Sequence, residues 1–85
     1  MMLPNKQVIS VSVAQSTRFL HLVIHGLDVW PVKFDMVDLD GKRVVSRVII
    51  YGNEISIPIR QLAGQDYLYA ISFKDTLKHT GVISF

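Results

Sequence analysis

The sequence contains no cysteine. Disulfide staples and cysteine-based zinc sites are therefore excluded, and the hydrophobic core must stabilise the chain alone. An absent disulfide does not by itself exclude an extracytoplasmic home. Charge is also sparse, at 19% of residues with a net charge of +2. The nine basic residues are scattered from Lys6 to Lys78, and only Lys42, Arg43 and Arg47 fall close together. A nucleic-acid binder concentrates such residues on one face, so no nucleic-acid partner is expected. No stretch reaches the ~20 continuous apolar residues of a membrane helix, so no integral membrane segment is expected. The opening MMLPNKQ lacks the basic and apolar regions of a signal peptide. The chain is thus expected to be either cytoplasmic or a fragment of a mature secreted, periplasmic or cell-surface protein.

Catalytic signatures are missing as well. There is no cysteine nucleophile, no G-x-S-x-G and no phosphate-cradling glycine loop. The seven acidic residues fall mainly in turn-like positions. The expectation is a non-catalytic protein with no cofactor and no metal.

What the chain does have is apolar bulk: 49% of its 85 residues are hydrophobic, many of them Val and Ile. That is too apolar for disorder, and the length allows one domain spanning residues 1–85. A chain this small buries about 60–65% of the surface its unfolded form exposes, so the margin of stability is thin.

The apolar residues alternate. Gln7 to Val13 places Ile9, Val11 and Val13 on one face, which is strand periodicity. After a polar link from Ala14 to Thr17, Arg18 to Ile24 turns Leu20, Leu22 and Ile24 inward. Gly26-Leu27-Asp28 reverses the chain, and Trp30-Pro31 opens a third strand whose inward residues are Val32, Phe34 and Met36. Asp40-Gly41 is a strong signal for a tight primed hairpin turn. The returning strand, Arg43 to Ile50, is expected to bury Val44, Val48 and Ile50 on the face of Ser46, with Arg43 and Arg47 opposite. Gly52-Asn53 reads as a second two-residue hairpin. Glu54 to Arg60 buries Ile55, Ile57 and Ile59, and Pro58, which cannot donate to a ladder, places that strand at an edge or makes it bulged. A loop from Leu62 to Asp66, with room for one helical turn, leads to a strand facing inward through Tyr67, Tyr69, Ile71 and Phe73. Lys74 to Leu77 turns, and His79 to Phe85 closes the chain. Seven short strands, frequent turns and no helix-period segment predict an all-β antiparallel sandwich.

Few residues offer chemistry. His21 and His25 have H-x-x-x-H spacing, but on a strand they stand about 13 Å apart, too far for one zinc ion. Asp38-x-Asp40-Gly41 resembles part of a calcium loop. Aligned on Gly41, however, Met36 and Arg47 occupy ligand positions that require oxygen donors, so turn chemistry is the reading. Trp30, Tyr51, Tyr67 and Tyr69 form a candidate stacking platform for sugar or peptide. Tyr67 and Tyr69 share the parity of the core, and Tyr67 also fits a tyrosine corner bonded to the upstream backbone. Trp30 reads as a partly buried packing residue and Tyr51 as the exposed aromatic. These two remain the candidate ligand or partner contacts.

Two stretches carry a family resemblance. Phe34 to Val44 (FDMVDLDGKRV) resembles the hairpin "apolar-x-apolar-x-D-x-x-G-x-x-V" of small Bacteroidetes immunoglobulin-like domains. Ile55-Ser56-Ile57, followed by Leu62, Gly64, Tyr67, Tyr69 and Ile71, is similar to their next segment. Leu20-x-Leu22-x-Ile24 before the hairpin and Gly81 to Phe85 at the end resemble a family of small secreted proteins of unknown function. The pattern also resembles the C-terminal sorting domains of type IX secretion, although the ending ISF lacks their basic tail. The resemblance implies a seven-stranded immunoglobulin-like β-sandwich serving as a non-catalytic secreted or cell-envelope interaction module. The alternatives are a sorting domain and a small carbohydrate-binding module. The expected partner is another protein, added at an exposed strand edge of the first or last strand, and a homodimer is compatible with such edges.

Overall fold

The computed structural model describes residues 9–60 and 62–85. Gln7 and Val8, expected in the first strand, lie outside them. The described chain forms seven strands: β1 (Ser10–Gln15), β2 (Phe19–His25), β3 (Val32–Asp38), β4 (Arg43–Ile50), β5 (Glu54–Pro58), β6 (Asp66–Phe73) and β7 (Thr76–Ser84). They build a three-stranded sheet in the order β1-β2-β5 and a four-stranded sheet in the order β4-β3-β6-β7, with every pairing antiparallel. This is the immunoglobulin-like sandwich. Its fourth strand stays beside the third, whereas in an antibody constant domain it pairs with the fifth.

The core is what the alternation requires. Leu20, Leu22 and Ile24 of β2 meet Val32, Phe34 and Met36 of β3 and Tyr67, Tyr69 and Ile71 of β6 between the sheets. Each fully buried large apolar side chain contributes about 1.5–3 kcal/mol relative to exposure. The three strands flanked on both sides, β2, β3 and β6, carry most of the completely buried residues.

Several local expectations are corrected. β1 runs on through Gln15, because Gln15 continues the inward parity of Val11 and Val13 and its Oε1 accepts the Leu62 N–H at 2.8 Å. β3 begins at Val32, after a cis Trp30-Pro31 bond. The Asp40-Gly41 turn is not a two-residue primed turn. Gly41 has φ +83° but Asp40 is not in the left-handed region. The Gly41 N–H donates to the Asp38 carbonyl at 3.0 Å, which makes a three-residue loop with a left-handed glycine. Asp38 Oδ1 accepts the Asp40 and Lys42 N–H groups and holds that loop. The primed pattern appears instead at Lys74-Asp75, where φ is 47° and 62° and Phe73 pairs with Thr76. β7 therefore starts at Thr76, three residues earlier than expected.

In β4 the buried residue before the mid-strand is Val45, not Val44. Met36 pairs with Val45 and Phe34 with Val48, so Ser46 and Arg47 both oppose Asp35 in a β-bulge. Arg47 adopts φ 50°, and its N–H donates to Asp35 Oδ1 at 2.9 Å. A bulge flips the parity of everything before it, which strict alternation cannot anticipate. Gly52-Asn53 is not a hairpin either: β4 and β5 belong to different sheets, and these residues carry the chain across the sandwich. The segment from Leu62 to Gln65 contains no helical turn. Pro58 does lie on an edge strand.

Candidate functional site

The aromatic candidates are separated by the fold. Trp30 is half-buried and packs against the core, and it borders a depression of about 370 Å³ with Ile49, Phe73 and the Lys74-Asp75 turn. Tyr51 is 79% exposed and is not part of that wall. The other two tyrosines are buried. The Tyr67 hydroxyl donates to the Ala63 carbonyl at 2.9 Å, four residues upstream, which is the tyrosine-corner bond. Its ring meets Phe85 edge-on at 5.8 Å.

Tyr69 lies stacked on Phe34 at 5.9 Å, with its hydroxyl 2.8 Å from His79 Nε2. Gly81 pairs with Tyr69 across β6 and β7, and the ring covers the place where a Cβ would stand. An aromatic laid over a cross-strand glycine fills the gap left by the missing side chain. Burial raises the Tyr69 phenol above the usual tyrosine value. The neutral phenol is therefore the form this packing holds.

His21 and His25 both stand on the outer face of the smaller sheet. His21 Nδ1 lies 2.6 Å from Ser56 Oγ, an exposed cross-strand polar pair. Among the described residues, no three His, Asp or Glu side chains gather as a metal-binding group. No helix among them is long and apolar enough to cross a membrane.

Two features of the four-stranded sheet were not apparent in the chain order. On its outer face Val37, Leu68 and Val82 line up across β3, β6 and β7. Leu68 is 44% and Val82 57% exposed, and with Ala70 they floor a shallow apolar depression of about 380 Å³. The signal existed in Tyr67 to Phe73, where residues of both parities are apolar. The second feature is a cleft at one end of the sandwich, where Arg60 joins Lys42 and Arg43. Arg60 is 17 positions from Arg43 and reaches it only through the crossover of the chain to the other sheet.

The four edge strands differ in how open they are. β4 is bulged and carries Arg43 and Arg47. β5 has five residues and includes Pro58. Charges, bulges and proline are the devices that discourage strand addition. β1 has none of them. β7 has one irregularity, near Lys78, and then runs from His79 to Ser84 without bulge, proline, lysine, arginine or acid.

Compared with protein-family models, with curated proteins and with solved structures, the chain finds no match. The class it belongs to is defined by its fold alone, an all-β immunoglobulin-like sandwich.

Proposed function

We propose that the chain is a non-catalytic interaction module that takes up an extended segment of another protein beside β7. The observation that carries this reading is the continuity of the open His79–Ser84 edge with an apolar row of exposed Val82 and Leu68 and half-buried Val37. Unpaired backbone groups at such an edge supply hydrogen bonds, and alternate side chains of the added strand supply selectivity. An apolar side chain on the outer face of the incoming strand would extend the row at Val82. β1 offers a second open edge, but its outer face presents Ser10, Ser12 and Ala14, which give a partner little to bury. A secreted or cell-envelope setting is proposed on the resemblance of the Phe34–Val44 hairpin and the Gly81–Phe85 ending.

The test is titration of the isotope-labelled chain with a library of alternating apolar and polar nine-residue peptides. Amide shifts confined to Thr76–Ser84, and lost in Val82→Lys with the melting temperature unchanged, are the expected result. Shifts confined to β1 would move the site to the other edge. No shift at either edge across the library would overturn the reading.

A further inference from the structure

The cleft at the end of the sandwich lies between the β3–β4 hairpin and the chain leaving β5, and measures about 400 Å³. Lys42, Arg43 and Arg60 border it, and Asp38 is the one carboxylate on its wall. Asp38 is committed to the hairpin, since its Oδ1 accepts two backbone N–H groups at 2.9 and 2.8 Å. Among the described residues the single ion pair is Lys33 with Asp75, so no carboxylate neutralises the three cations of the cleft. Ile59, Leu62 and Tyr67 add apolar surface below them.

The walls are fixed by bonds that involve neither the Lys42 nor the Arg60 side chain, while the Arg43 guanidinium donates to Ser46 Oγ at 3.3 Å. Gln15 accepts the Leu62 N–H, Tyr67 holds Ala63, and Asp38 holds the hairpin. A preformed wall lowers the ordering that binding must otherwise impose. Lys42 and Arg60 over an apolar floor, with Arg43 at the rim, suit an anion with an apolar neighbour. They do not suit a polyphosphate backbone, which needs a basic track along a face. The cleft is too positive to attract a cation, and it lacks the exposed aromatic plane that a neutral sugar stacks on.

We propose that this cleft docks an acidic segment of a partner polypeptide. One carboxylate sits among Lys42, Arg43 and Arg60, and an adjacent apolar side chain rests on Ile59 and Leu62. β4 and β7 are the opposite edges of the same sheet, so this contact does not depend on strand addition at β7.

The probe is an acetylated, amidated five-residue peptide alternating glutamate with leucine, titrated into the isotope-labelled chain beside its glutamine counterpart. Amide shifts should appear at Lys42, Arg43, Arg60 and Leu62 with the glutamate peptide only. An exposed ion pair strengthens association by up to about fivefold. The double variant Lys42→Ser/Arg60→Ser should therefore weaken binding by roughly 2- to 25-fold, with an unchanged melting curve because both side chains are exposed. Raising the salt to about 1 M should weaken the wild-type interaction as well. An equal response to the glutamine peptide, or an unaltered affinity in the double variant, overturns the proposal. So does an equal effect of acetate and benzoate, which would make the cleft a site for free anions.

Discussion

Gly81→Ala should be among the most damaging single-methyl changes in this protein. A Cβ on Gly81 would stand 2.5 Å from the Tyr69 hydroxyl and 2.7 Å from Cε1 and Cζ of its ring. None of these distances is tolerable, so the ring must move. It has little room to do so: it stacks on Phe34, its hydroxyl bonds His79, and the residue is buried. Overpacking a filled core costs about 1–3 kcal/mol, and a buried hydroxyl forced off its partner costs a further ~1–3 kcal/mol. Alanine recovers some of this by restricting the unfolded chain, roughly 0.4–1 kcal/mol, because Gly81 does not use a positive φ. The net loss is about 2–4 kcal/mol. A domain of this size has roughly 4–13 kcal/mol in total, so the loss is a large share. Urea unfolding followed by tryptophan fluorescence should show it, together with a melting temperature lowered by roughly 8–32 °C. The cause can be isolated with a double-mutant cycle. Tyr69→Val is itself destabilising, but it clears the space, so adding Gly81→Ala to it should cost at least about 1 kcal/mol less than in the wild type. Gly81→Ala within about 0.5 kcal/mol of wild type would refute the argument, since the ring would then be free to swing away.

Gly41→Ala and Gly52→Ala should differ in sign, although nothing lies within 4 Å of a Cβ at either position. Gly41 needs φ +83°, so alanine there should cost about 1 kcal/mol, whereas Gly52→Ala should be neutral or stabilising by up to ~1 kcal/mol. Equal effects in chemical denaturation would contradict the turn assignments. Tyr67→Phe removes the bond to the Ala63 carbonyl and should cost about 0.5–1.5 kcal/mol by the same measurement. No change on substitution would mean that the corner bond adds nothing. Burial raises the Tyr69 phenol above 10.0, so between the unfolded and folded values the native state holds a proton that the unfolded chain has released. Its contribution is intact below about pH 10 and declines as pH rises, by at most about 1.4 kcal/mol per unit. Tyr69→Phe should lose that component of the alkaline slope, and identical slopes would contradict it.

Much of the architecture was legible in the chain because burial on one face of a strand imposes a period of two. Leu20-x-Leu22-x-Ile24 and Val32-x-Phe34-x-Met36 announce β2 and β3, two of the three central strands, and Pro58 points to an edge by lacking a donor. Tyr67 carried the corner in its position after a loop. β4 was harder, since Arg47 in the left-handed region depends on the Asp35 carboxylate across the ladder, twelve positions away in sequence. The parity of Val45 follows from that bond and not from its neighbours. Gly52-Asn53 looks like any hairpin dipeptide, and only the pairing of β5 with β2 makes it a crossover.

The same division holds for function. Local chemistry in the sequence determined the strands and most of their turns, because alternation and turn propensity act within a few residues. Tertiary structure alone decided which strand ends up at an open edge and which cations share a cleft. Lys42, Arg43 and Arg60 meet across the end of the sandwich, and Val37, Leu68 and Val82 meet across three strands. Those neighbours are set by sheet order, a long-range choice made by burying the whole core at once.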